Sequence, residues 1–248
     1  MLRKMKSLSN SKMGNPPVLD GLTGDHIKSG FQALDTQLGK DAQLRREKRQ
    51  IRIICSGGVC AVAYLRSRAT TKDIDFYTPH PDDSREITYA RYELNMHDAR
   101  GRARYPDGWI NCEMGAHINN LKGGEVLFAN SVKNGVVLYT GEHLVVYAAD
   151  WKFQFVGKVK RAFDNLEYAQ EVGEIRTLDT DKDFGDALHF LNQIMRPRNT
   201  PLALVDIKNW YNYGHFITPQ MAKMVNICYA HRFADDACRF SGKRVISI

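Results

Sequence analysis

Residues 51–77 read IRIICSGGVCAVAYLRSRATTKDIDFY, and the order of signals inside this stretch predicts the fold. IRIIC is a short β-branched run that ends at Ser56-Gly57-Gly58, the pattern of a strand delivered into a turn. The chain then restarts as an apolar helix over 59–67, carrying Ala61, Ala63, Tyr64 and Leu65. TTKDIDFY at 70–77 alternates as a strand does, with Ile74 and Phe76 on one face and Asp73 and Asp75 on the other.

Around this centre the apolar pattern predicts an α/β (α+β) fold: a mixed β-sheet with flanking helices, followed by a helical C-terminal half. A helix is expected over 25–49, capped by Asp25, with Ile27, Phe31, Leu34 and Leu38 at helical spacing. Another runs from Asp83 or Ser84 to about Arg100, and 101–108 reads as a loop. WINCEM at 109–114 is the next strand, with Trp109, Asn111 and Glu113 on one face. One or two further strands are expected within 126–139, turning at Asn134-Gly135, a favoured hairpin dipeptide. Beyond Glu142 the pattern becomes mostly helical, with helices over 144–163, 182–195 and 221–240. The domain reading is a disordered leader at 1–20, an α/β domain at 21–140 and a helical region at 141–248.

Bulk properties narrow the function classes. In 248 residues, 43% are hydrophobic and 25% charged, ordinary for a globular chain with a sizeable core. The longest apolar runs, 58–65 and 144–149, stop well short of the ~20 residues needed to span a bilayer. The basic, Ser- and Asn-rich start has no apolar centre of a secretory signal, so a cytoplasmic protein is expected. Five cysteines form neither a CxxC pair nor a zinc-type Cys/His spacing, and read as free thiols. The net charge of +7 favours an anionic partner such as a nucleotide or RNA. Part of that excess, RREKRQIR at 45–52, reads equally well as the solvated end of a helix.

The chemistry lies in the two carboxylates. At i and i+2 on a strand they project from one face, and like charges so close raise each other's pKa. A divalent cation relieves that repulsion, and Mg²⁺ (or Mn²⁺) is commonly held by one or two carboxylates with phosphate oxygens and water. The Gly-Gly turn lets backbone N–H groups approach a phosphate. Fourteen residues separate Gly58 from Asp73, so turn, helix and Asp-x-Asp strand follow in the order a nucleotide site requires.

The run SGGVCAVAYLRSRATTKDIDFY resembles the nucleotidyltransferase superfamily, in particular the small branch with abortive-infection-type toxins and uncharacterised relatives. Arg68, Thr70 or Thr71, Asp73 and Asp75 fill the places of its pattern, and the likeness extends loosely to about residue 195. The resemblance implies that Asp73 and Asp75 bind metal and that Ser56, Gly57, Gly58 and Thr71 contact the triphosphate of an NTP. It further implies that Lys152 neutralises phosphate charge and that Lys182-Asp183…Asp186 marks a later helix of the branch. The implied activity is transfer of an NMP to a hydroxyl of RNA, protein or a small molecule. Active members place a third acidic residue on a following strand. Glu113 is the candidate here, while Asn111 at that place would leave a module that binds nucleotide, RNA or a protein partner without catalysis.

Two other clusters have open readings. Lys152, Lys158, Lys160 and Arg161 fall on one expected helix with Trp151, Phe153, Phe155 and Phe163 interleaved. They form either a phosphate-binding face or an amphipathic helix with its lysines in solvent. Trp210, Tyr211 and Tyr213, within NWYNYGHF, either stack on a base or pack between helices.

Overall fold

The computed structural model describes residues 18–97, 105–119, 124–238, 240 and 244–248. The expected leader therefore lies outside the described residues up to position 17, as does 101–104 of the expected loop. The chain forms a mixed α/β structure around one five-stranded mixed sheet. Its strands are β1 (Ile51–Ser56), β2 (Ile74–Tyr77), β3 (Ile110–Asn111), β4 (Val137–Thr140) and β5 (Leu144–Ala148), in the order β3-β2-β1-β5-β4. Strand β1 pairs antiparallel with β2 and parallel with β5. β2 and β3 are parallel, and β4 returns antiparallel to β5.

Before the sheet stands α1 (Gly24–Leu38), whose Ile27, Phe31, Leu34 and Leu38 are all buried as their spacing requires. Its cap is Thr23 rather than Asp25: the Thr23 hydroxyl accepts the His26 amide at 3.3 Å, and His26 Nδ1 accepts that of Thr23. The helix expected over 25–49 is in fact two. α1 stops at Gly39, and Asp41 caps α2 (Ala42–Glu47), its carboxylate accepting the Gln43 and Leu44 amides at 2.7 and 2.9 Å.

The two faces of the sheet are covered differently. Ile53, Cys55, Ile74, Phe76 and Val146 join the large core cluster, which takes in α1 and the C-terminal helices. Ile54 and Tyr77 face the other way, onto a smaller cluster with Met114, Ile118 and Leu127. Those three come from α4 (Glu113–Asn119) and α5 (Gly124–Asn134), with α3 (Pro81–His97) preceding β3.

Three expectations change here. The strand expected over 109–114 ends after Asn111, because the Asn111 side-chain oxygen accepts the Glu113 amide at 3.0 Å and starts α4. Most of 126–139 is α5; Asn134-Gly135 ends that helix, with Gly135 at φ +68°, instead of turning a hairpin. The first residues of the helix expected over 144–163 are β5, buried between two neighbouring strands. Asp150 then caps α6 (Trp151–Glu171), accepting the Lys152 amide at 2.9 Å.

Helix α6 packs along α7 (Lys182–Met195), capped by Asp181. The remainder comprises β6 (Leu202–Ala203), α8 (Leu204–Lys208), α9 (Tyr211–Gly214), α10 (Pro219–Arg232), α11 (Ala234–Ala237) and β7 (Ile246–Ser247). The helix expected over 221–240 thus ends at Arg232, and Phe233 separates it from α11. Phe155, Phe190 and Tyr229 of α6, α7 and α10 share the cluster that holds Ile53 and Val146 of the sheet. Among the described residues no helix is long and apolar enough to cross a membrane.

Candidate functional site

The registers of three strands build the site. Ser56 on β1 pairs with Asp75 on β2, and Asp75 pairs with Asn111 on β3, so the three side chains form a row across the sheet. The row shares the face of Ile54 and Tyr77. Asp73 lies just before β2, exposed, two residues from Asp75 as the alternation requires. The Ser56 hydroxyl rests on Met114 Sδ at 3.0 Å.

A cavity of about 380 Å³ opens beside this row, within the usual range for small-molecule sites. Ser56, Gly57, Asp75, Glu113 and Met114 line one side. The other side is one face of α6, where Phe153, Gly157, Lys160 and Asp164 recur at helical spacing beside Gln154, Lys158 and Arg161. Asp75 and Glu113 thus share the cleft with Lys158, Lys160 and Arg161, and Asp164 on the α6 side pairs with Lys160 at 2.6 Å.

The turn that begins the site is held by α6. Gly57 adopts φ +73°, a conformation glycine tolerates, and its N–H donates to Gln154 Oε1 at 2.8 Å. Gln154 in turn donates to the Ala149 carbonyl at 2.7 Å. The Gly57 amide, expected at a phosphate, therefore serves to dock the turn. Gly58 and Thr71 act together: a Cβ on Gly58 would lie 2.0 Å from Thr71 Oγ1, and Thr71 is buried beneath the turn. They shape the loop and do not line the cavity. After Gly58 the chain winds into a π-helical turn, Cys60–Tyr64, shorter than the helix expected over 59–67.

The charges of the row are coupled. Burial pushes the Asp75 carboxyl above its usual range, and the charge of Asp73 pushes it further. A hydrogen bond from Asn111 and the charge of Arg161 oppose this, and Glu113 adds to the rise. Glu113 sits in the first turn of α4, exposed, and lines the cavity. Among the described residues no three His, Cys, Asp or Glu side chains form a ready-made cation cage. Two carboxylates such as Asp73 and Asp75 could hold a Mg²⁺ ion only together with further ligands such as phosphate oxygens and water.

An acid whose folded pKa is raised penalises folding once it ionises. The penalty is absent below its ordinary value of about 3.9 and complete above the raised folded value. Asp75→Asn is therefore expected to raise the melting temperature at pH 7 in EDTA and to remove any further rise on adding Mg²⁺. Parallel thermal scans check both.

Lys152, expected at the phosphates, lies outside the cavity, exposed, with its ammonium 5.3 Å from the centre of the Trp210 ring. Two other cations stand at the turn: Lys158 Nζ is 3.9 Å from where a Cβ on Gly57 would be, and Arg68 Nη1 is 3.6 Å from where one on Gly58 would be. Buried Lys158 pairs with Asp183 and lies 3.4 Å from Asp186, both buried on α7. Arg161 Nε reaches Asp183 at 3.1 Å, and Arg68 reaches Asp186 at 3.0 Å. The Arg68 of the turn segment and the Asp183…Asp186 pair, distant in sequence, meet in this one network. The signal for Lys158 was the spacing of Gln154, Lys158 and Arg161 along one face of α6.

No protein-family model, curated protein or solved structure matches this chain.

Proposed function

We propose that this chain is a metal-dependent nucleotidyltransferase with a nucleotidyltransferase-like fold, moving an NMP from an NTP to a hydroxyl of RNA, protein or a small molecule. The observation that carries the reading is a cleft lined by Asp75 and Glu113, with Asp73 two residues before Asp75, and by Lys158, Lys160 and Arg161, whose present partners are Asp183, Asp164 and Asp183. Carboxylates alone would repel a triphosphate, and cations alone would bind it without activating an acceptor. Together they serve both ends of the reaction.

In this reading Asp73 and Asp75 hold Mg²⁺ or Mn²⁺, which when bound neutralises phosphate charge and favours deprotonation of the attacking hydroxyl. Lys158, Lys160 and Arg161 bind the β- and γ-phosphates and stabilise the charge that develops on them. The acceptor oxygen bonds to the α-phosphorus as the bond from that phosphorus to the bridging oxygen breaks, and pyrophosphate leaves. Glu113 accepts the hydroxyl proton. Ser56 lies beside Asp75 at the cavity wall, within the region where the triphosphate would bind.

A second reading rests on Asn111. The β3 residue in register with Asp75 is an amide, and Glu113 comes from a helix start instead of the neighbouring strand. On that reading the chain binds nucleotide, RNA or a protein partner without transfer. The test is incubation with each labelled NTP, Mg²⁺ or Mn²⁺, and total RNA or protein. Label on a macromolecule supports transfer, and metal-dependent nucleotide binding without transfer supports the second reading. Neither binding nor transfer would sink both.

A further inference from the structure

Tyr211 opens α9, a four-residue helix, in a left-handed backbone at φ +46°. Glycine and asparagine take that conformation readily, whereas a bulky residue persists there only where its surroundings over-determine it. A position needed only for the turn would suit glycine, so the tyrosine calls for a cause in its side chain. That cause is a buried polar junction. The Tyr211 hydroxyl donates to Asp150 Oδ2 at 2.7 Å and accepts from Asn130 Nδ2 at 3.2 Å. Burial pushes the phenol well above its usual range and the bond to Asp150 pushes it further, so it stays a donor. Asp150 needs that donor. It is 7% exposed, and neutral groups meet its two oxygens: the Lys152 amide on Oδ1 at 2.9 Å and the Tyr211 hydroxyl on Oδ2. The Asp150 amide donates in turn to Ser131 Oγ at 2.9 Å. One hydroxyl thus joins α5, the start of α6 and the start of α9.

Parts of the cavity wall leave directly from this junction. On α6, Phe153 lines the cavity and meets the Tyr211 ring edge-on, with centroids 5.6 Å apart. Gln154, whose amide donates to the Asp150 carbonyl at 3.1 Å, holds Gly57 of the glycine turn. On α9, Tyr213 lines the cavity two residues after Tyr211. Its Cδ2 lies 3.8 Å from where a Cβ on Gly157 would be, so its ring packs directly on the bare backbone of α6. At the far end of α9, a Cβ on Gly214 would lie 2.2 Å from the Ile207 carbonyl oxygen, so α9 is also pressed onto α8.

We propose that Tyr211 is a positioning residue of the nucleotide site: its hydroxyl ties α9 to the first turn of α6 and so sets Tyr213 and Phe153 against the glycine turn. The inference rests on the nucleotide reading of the cavity and adds what fixes the shape of its wall. Tyr211 does not itself line the cavity, so it acts through Phe153, Gln154 and Tyr213. Without its hydroxyl, Asp150 Oδ2 is left buried with no donor, and the left-handed backbone loses the bonds that hold it. The first turn of α6 and α9 then shift relative to each other. A small misplacement caused outside a site is enough to weaken what the site does.

The test compares native protein, Tyr211→Phe, Asn130→Ala and Tyr229→Phe by thermal scans and by calorimetry with ATP in Mg²⁺, well below the melting temperatures. Tyr229→Phe is the structural control. It also removes a buried hydroxyl, one bonded to Asn192 Oδ1 at 2.6 Å, and Tyr229 does not line the cavity. Both Tyr→Phe variants are expected to melt below the native chain. Tyr211→Phe is expected to bind ATP at least about five-fold more weakly, Asn130→Ala to show a smaller loss, and Tyr229→Phe to bind as the native chain does. Should Tyr211→Phe fail to fold, the contrast of Asn130→Ala with Tyr229→Phe decides. Native-like ATP binding by Tyr211→Phe and Asn130→Ala would overturn the proposal. So would an equal loss in Tyr229→Phe, which would mark Tyr211 as merely structural. If the native chain does not bind ATP, the nucleotide reading of the cavity fails and the role of Tyr211 falls with it.

Discussion

The Asp73→Ala/Asp75→Ala double variant is expected to fold normally and to transfer label at least about 100-fold more slowly than the native chain. A residue that only orients a metal ligand typically contributes 10–100-fold to affinity or activity, and these two are assigned as the ligands themselves. The fold does not depend on their charges. Asp73 is exposed, and Asp75 pays a folding penalty for ionising between burial and its neighbour. Circular dichroism and a melting scan establish that the variant is folded, and initial rates of label transfer measure the loss. A folded double variant that transfers at the native rate would remove both carboxylates from the chemistry.

Lys158→Ala is expected to have the largest effect on stability. It removes the cation between two carboxylates that are 7% and 2% exposed, leaving Asp183 with Arg161 and Asp186 with Arg68. Breaking a buried pair from one side typically costs about 3–5 kcal/mol when the remaining charge is left uncompensated, and Arg161 and Arg68 hold the loss toward the lower end of that range. For a chain of this size that is a fall in melting temperature of about 6–20 °C. Replacing the partner as well, in Lys158→Met/Asp183→Leu, is expected to recover part of the loss, since two apolar groups need no ionic partner. A Lys158→Ala protein with native stability would show that the network contributes little to folding.

The same network sets the behaviour in acid. Burial pushes the Asp183 carboxyl up, but the charge and hydrogen bond of Lys158, helped by Arg161 and Lys182, outweigh it and hold the carboxyl below its usual range. The stabilisation from a depressed carboxyl is present above its unfolded value of about 3.9 and is lost as pH falls through the folded value. Melting temperatures are therefore expected to drop below about pH 4, and less steeply in Asp183→Asn.

Local signals made the centre of the fold legible. IRIIC, the glycine turn and the alternation of TTKDIDFY required no knowledge of the remaining chain, and the strand registers bring Ser56 and Asp75 side by side. The elements that misled did so for physical reasons. LVVYA at 144–148 is apolar throughout, so its pattern suits a buried strand as well as a helix. Only pairing with β1 and β4 and the cap at Asp150 separate it from α6. WINCEM alternates like a strand to its end, yet one hydrogen bond, donated by the Glu113 amide to the Asn111 side-chain oxygen, turns it into α4. Lys152 and Lys158 are both lysines on one helix, and which of them faces the turn depends on how α6 lies against α7. That is a tertiary fact, set by Asp183 and Asp186 about 25 residues further on.

If the cleft moves a nucleoside monophosphate, the α- and γ-phosphates of the NTP must part in the reaction. Native chain, Mg²⁺ and total RNA or protein are incubated with an NTP labelled on its α-phosphate or, separately, on its γ-phosphate. The α-label is expected to become attached to an acceptor while the γ-label is released in pyrophosphate. Transfer of the γ-label to the acceptor, or an α-label that never becomes attached to an acceptor, would contradict it.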